Sequence, residues 1–181
     1  PMKIAAAFLL LVVKLHGQVL LTDDFSGGSI NGSLWTTILP NGSSSIAQSG
    51  GFLTTTARGI LGTVSSFSAP YTLTGSFKMM DGLEHFNIVL RSNLSGQGSA
   101  AERVGLIVTF VNDGQGISIQ ESPGSQLAST GGGGFSFTTG QSYSFSITDT
   151  GTAVSVSVNG NPVLNTPATY SAGNQIAFYS R

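Results

Sequence analysis

His85, Asn87 and Arg91 stand two and then four residues apart within the run His85-Phe86-Asn87-Ile88-Val89-Leu90-Arg91. In an extended chain successive side chains point to opposite faces, so Phe86, Ile88 and Leu90 share one face and His85, Asn87, Val89 and Arg91 the other. Burying each of the three large apolar side chains contributes roughly 1.5–3 kcal/mol, which assigns their face to the core. The opposite face then offers three polar side chains at successive intervals of about 7 and 13 Å at the usual strand rise, and these are the candidate ligand contacts. The alternative is a plain solvated sheet face, common in antiparallel sandwiches. Arg91 has the fork to hold a carboxylate such as a uronate, or it pairs with Glu102 across the hairpin that spans 92–101.

Other chemistries fail on residue types. With no cysteine and only His16 and His85 as histidines, the usual zinc and copper ligand sets cannot be assembled. The chain has no H-E-x-x-H and no G-x-S-x-G elbow, and Gly131 to Gly134 lacks the Lys and Ser/Thr of a phosphate loop. Calcium is the one metal left open, since carboxylate and carbonyl oxygens satisfy it; Asp23 and Asp24, or Asn112 and Asp113, are the candidates. Turn capping is the competing role for Asp23 and Asp24. Charged residues make up only 8% of 181 and the net charge is -1. That excludes the clustered Lys and Arg by which nucleic acid or anionic lipid is bound.

The elements that must position these residues are strands. Apolar residues recur at period two between short Gly, Asn, Asp, Ser and Pro clusters, and no segment carries a helical stripe. The pattern predicts strands at Tyr71–Met80, His85–Ser92, Arg103–Val111, Gly116–Gln120, Gln141–Thr148, Ala153–Val158 and Gln175–Tyr179, with weaker ones at Phe52–Ala57 and Gly62–Phe67. Asn112-Asp113-Gly114 and Asn159-Gly160 supply the positive-φ residues of tight hairpins. About ten strands without helices predict a single all-β domain, an antiparallel β-sandwich or jelly roll. Sequons at Asn31, Asn41 and Asn93 matter only in a eukaryotic, exported chain.

Lys3, the apolar run 4–13 and the small Gly17 have the layout of a secretory signal peptide. The run is about half of the ~20 residues that cross a bilayer. On this reading residues 1–17 are removed, the domain is 18–181, the protein is secreted (extracellular or periplasmic), and nothing inserts in a membrane afterwards. The alternative is a buried N-terminal strand or helix.

Asp23-Asp24-Phe25-Ser26-Gly27-Gly28 followed by Leu34-Trp35 resembles the opening of concanavalin A-like lectin/glucanase domains. Phe52-Leu53 after Gly50-Gly51, the strand from His85 to Arg91, and the hairpin from Tyr143 to Ile147 and Val156 to Gly160 resemble later strands of the same superfamily and of laminin-G-like jelly rolls. The resemblance implies a concanavalin A-like jelly roll whose concave sheet holds the ligand, a buried Trp35, and a polysaccharide or glycan partner. Glucanases of this fold carry their two carboxylates on one strand as E-x-D-x-E or a near variant, and no such motif is present. Glu84 and Glu102 begin successive strands and would lie at opposite ends of a hairpin, too far apart for the ~5.5 Å a retaining pair needs. Asp81 with Glu84, or Glu121, have no motif behind them. His85, Asn87 and Arg91 with a tyrosine would supply the residue types of a polysaccharide lyase. The expectation is therefore a secreted carbohydrate- or matrix-binding module without catalysis and with no cofactor beyond an optional calcium. The alternative is a polysaccharide-active enzyme, hydrolase or lyase, that uses the concave face.

Overall fold

The computed structural model describes residues 6–15, 17–40, 42–56, 58–80, 85–94, 104–112 and 114–180, with only the backbone at 6–10. These form strands and no helix. Asp81, Glu84, Glu102, Asp113 and Asn41 lie outside the described residues, so the carboxylate pairings and the Asn41 sequon considered above are not placed.

Two antiparallel sheets pack face to face. The first contains β1 (Ala6–Leu15), β2 (Gln18–Asp23), β4 (Ser45–Ser49), β5 (Phe52–Thr56), β7 (Tyr71–Met79), β12 (Ser142–Asp149), β13 (Ala153–Val158) and β14 (Asn161–Pro167). The second contains β3 (Trp35–Ile38), β6 (Ile60–Thr63), β8 (His85–Ser92), β9 (Gly105–Val111), β10 (Gly116–Ser122), β11 (Gln126–Ser129) and β15 (Gln175–Ser180). Strand order is β14-β13-β12-β7-β1-β5-β4 in the first, with β2 paired on β1, and β11-β10-β9-β8-β15-β6-β3 in the second.

Period-two alternation accounts for the core. Phe86, Ile88 and Leu90 from β8, Leu106, Val108 and Phe110 from β9, and Leu73 and Phe77 from β7 are all buried between the sheets. Phe77 lies at the centre of an aromatic group, 4.9 Å from Phe110 and 5.1 Å from Phe86 between ring centroids, a geometry that adds to simple area burial. The Asn159-Gly160 turn has φ of 49° and 79°, the two positive values that let a two-residue hairpin follow the strand twist. Pro162 and Pro167 sit on β14, an edge strand, where a missing amide donor costs no ladder bond.

Two expectations about the strands are adjusted. The weak strand placed at 62–67 runs instead over Ile60–Thr63, and Val64 is exposed beyond it. Short strands at 45–49, 126–129 and 161–167 carry too few large apolar residues to be read from pattern. The segment with leader-like composition forms β1, paired with β7 on one side and with β5 and β2 on the other. Leu11 and Val13 of β1 belong to the core.

Candidate functional site

The parity of β8 holds for its first half. His85 and Asn87 point away from the core, onto the outer face of the seven-stranded sheet, while Phe86 and Ile88 are fully buried. Register then assembles a row that crosses four strands, with Asn87 opposite Tyr179 on one side and Thr109 on the other, and Thr109 opposite Ser118. Adjacent strands lie about 4.8 Å apart, so the row presents closely spaced polar groups perpendicular to the strands. Gln120 faces Gln126 of β11 one row along. With Gln115 and Val111 these residues enclose a cavity of about 240 Å3. At its floor Asn87 is only 4% exposed; its Oδ1 accepts from Thr109 Oγ1 at 2.9 Å.

Beyond the cavity the same face becomes apolar. Ile60, Val89, Ile107, Ala177 and Tyr179 form a second cluster, against which Ile38 and Leu94 pack. Gly62 is required there, because a Cβ would come within 2.4 Å of Leu94 Cδ1.

Arg91 does not belong to this face, which corrects the expectation from alternation. Ser92 pairs with Gln175 and Val89 with Ala177, so β8 carries one residue more than β15 between these pairs. That is a β-bulge, and Arg91 within it has φ of 51°. The extra residue reverses the parity and turns the guanidinium inward between the sheets. There Nε donates to Asp149 Oδ2 at 2.8 Å, Nη2 to Oδ1 at 2.5 Å, and Nη1 to the carbonyls of Ala168 and Tyr170 at 3.1 Å each. The hydrogen bond from Asp149 raises the Arg91 pKa above its ordinary value despite burial. Burial first, then the Asp149 charge and hydrogen bond, pushes the Tyr71 hydroxyl well up. The partner of Arg91 is thus Asp149 of the opposite sheet, and neither a uronate nor Glu102 is needed to satisfy it.

Asp23 and Asp24 lie in a turn. Asp23 Oδ1 accepts from the Phe25 amide at 2.8 Å and Oδ2 from Trp35 Nε1 at 2.6 Å. Asp24 accepts from the Ser26 amide at 2.9 Å, and Ser26, through its hydroxyl and then its amide, holds the Asp24 carboxyl below the usual range. Both Asp23 oxygens thus meet N–H donors, which accords with the turn-capping role. Among the described residues no three His, Asp or Glu side chains gather. Trp35 is buried, edge-on to Phe178.

The residues that pattern reading missed are Thr109, Gln115, Ser118, Gln120, Gln126 and Tyr179. Their only signal is shared outward parity on neighbouring strands, which acquires meaning once register is known.

No family model matches the sequence, and no curated protein matches it. Solved structures are similar in fold. A carbohydrate-binding module, CBM66 of Bacillus subtilis, has a TM-score of 0.57 at 12% identity, over 82% of this chain and 86% of that one. A structure described with the endo-acting O-glycanases of human gut bacteria has 0.63 at 13%, over 90% and 85%. The β-glucanase of Bacillus licheniformis has 0.57 at 9%, over 84% and 80%. The fold shared with them is an antiparallel jelly-roll β-sandwich.

Proposed function

We propose that this protein binds a carbohydrate, from a glycan or matrix polysaccharide, on the outer face of its seven-stranded sheet without cleaving it. The observation that carries the reading is the cavity built by His85, Asn87, Thr109, Ser118 and Gln120, a set of side chains each able to exchange hydrogen bonds with sugar hydroxyls. Among the described residues no carboxylate lines it, whereas a glycosidase needs two. The fold is shared with a carbohydrate-binding module and with glycanases, which makes oligosaccharides the first ligands to try. Leader-like order at 3–17 supports a place outside the cytoplasm. A glycan array paired with a reducing-sugar assay tests the reading: retained ligand with no new reducing ends is expected, and steady release of reducing ends would overturn it.

One observation favours a second reading. His85 and Tyr179 line the same cavity beside Asn87, the residue types that β-elimination from a uronate requires for moving a proton and neutralising a carboxylate. Arg91, the cation expected to help, is committed to Asp149. Ultraviolet absorbance of an unsaturated product after incubation with a uronate polymer would establish the lyase reading in place of binding alone.

A further inference from the structure

We infer that the carbohydrate held on this face is uncharged, and that carboxamides do most of the recognising; this rests on the binding reading above and specifies its ligand. Four of the cavity's side chains, Asn87, Gln115, Gln120 and Gln126, end in carboxamides, and Ser118 adds a hydroxyl; at the floor Asn87 is bonded to Thr109 and to the His85 carbonyl, so the three glutamines carry most of the recognition. Each carboxamide offers acceptor and donor atoms side by side. A sugar hydroxyl is likewise donor and acceptor, so a neutral ring satisfies both ends of such a group. A carboxylate only accepts, and would leave the carboxamide oxygens facing a second acceptor inside a partly enclosed site, where unpaired polar groups are costly.

The distribution of cations points the same way. Arg91, which alternation had placed beside the ligand, lies between the sheets in a buried ion pair with Asp149. Lys14 and Lys78 are on β1 and β7 of the other sheet, and Arg58 follows β5 of that sheet. No described Lys or Arg therefore lines the cavity. Among the described lining residues no phenyl, phenol or indole ring lies open as a platform, since Tyr179 is 3% exposed. Binding then comes from hydrogen bonds with little apolar burial, which predicts a small heat-capacity change.

The test is calorimetric titration of the full chain with two panels: neutral gluco-, galacto-, manno- and xylo-oligosaccharides, and oligouronates. It is run at low and at high salt, and repeated on Gln120→Ala and Gln126→Ala after each variant's melting temperature has been matched to the parent. The expected result is binding from the neutral panel that salt does not weaken. Each substitution should reduce it about tenfold, the loss of one hydrogen bond's net contribution. If only oligouronates bind, and the same substitutions weaken them, the face is the binding site but the inference of an uncharged ligand is overturned. If neither panel binds, or if binding ignores both substitutions, the site reading itself fails and the inference falls with it.

Discussion

Arg91 and Asp149 meet inside the sandwich with both carboxylate oxygens, all three guanidinium nitrogens and two backbone carbonyls engaged, and Asp149 Oδ1 also caps the Gly151 amide at 2.8 Å. Removing one member of such a pair strands a buried charge at a cost of about 3–5 kcal/mol, whereas removing both can be nearly neutral. Arg91→Met is therefore expected to lose about that much in urea unfolding, and Arg91→Met with Asp149→Leu to regain part of it. A single variant with an unchanged midpoint would show that the pair does not hold the sheets. Tyr71 gives the same cluster a pH dependence. Its folded pKa is raised well above the ordinary value by burial, so its contribution is complete below the unfolded pKa of about 10 and is lost as pH rises beyond it toward the folded value. Stability should fall above about pH 10, and Tyr71→Phe should flatten that fall in a pH series of denaturation midpoints. Asn87 has a structural share as well as a binding one. Because it accepts from Thr109 and is almost fully buried, Asn87→Ala should cost about 1–3 kcal/mol, while Gln120→Ala, at a half-exposed position, should leave the melting temperature within error.

At the scale of elements, β8 works as two pieces joined by a bulge, one presenting His85 and Asn87 outward and the other sending Arg91 inward. The neighbouring strand accommodates this with Gly105, whose φ is 142° and where a Cβ would meet the Leu90 carbonyl at 2.6 Å. The first two strands raise a different question. If residues 1–17 are removed as a leader, β7 and β5 lose the partner between them, and open edges of that kind seek a strand. β2 is poised to supply one. It pairs only with β1, its Leu21 stands opposite Val13, and Val13 in turn stands opposite Leu73 of β7. Val19 and Leu20 of β2 are exposed at 49% and 38%. A shift of one strand spacing, about 4.8 Å, would bring β2 beside β7 in a parallel pairing, since β1 runs antiparallel to both. A chain of residues 18–181 is thus expected to fold cooperatively, and a gene expressed in a secreting host to yield a product beginning near Gln18. A truncated chain that stays unfolded, or a secreted product that keeps Ala6, would make β1 a required part of the sandwich and end the leader reading.

Across the whole molecule, the apolar residues between the two sheets hold the fold, and the acidic turn at Asp23 is tied in by the Trp35 indole N–H. Chelation is accordingly expected to leave the melting temperature unchanged; a fall beyond the 2–4 °C that about 1 kcal/mol produces in a domain of this size would reveal a structural metal. The sequence by itself determined the all-β class, the inward set Phe86, Ile88 and Leu90, the outward His85 and Asn87 and the Asn159-Gly160 hairpin, because alternation and turn chemistry are local and each residue's neighbours in the chain carry them; the burial of Trp35 was implied only by the resemblance of its motif. It did not determine the fate of Arg91, since one extra residue in β8 is measurable only against β15, and the partner that captures the guanidinium lies 58 residues away on the other sheet. Nor did it assemble Thr109, Ser118, Gln120, Gln126 and Tyr179 around Asn87. Their convergence depends on the register between strands distant in the chain, which is fixed by long-range pairing and core packing and so was decided only by the tertiary structure.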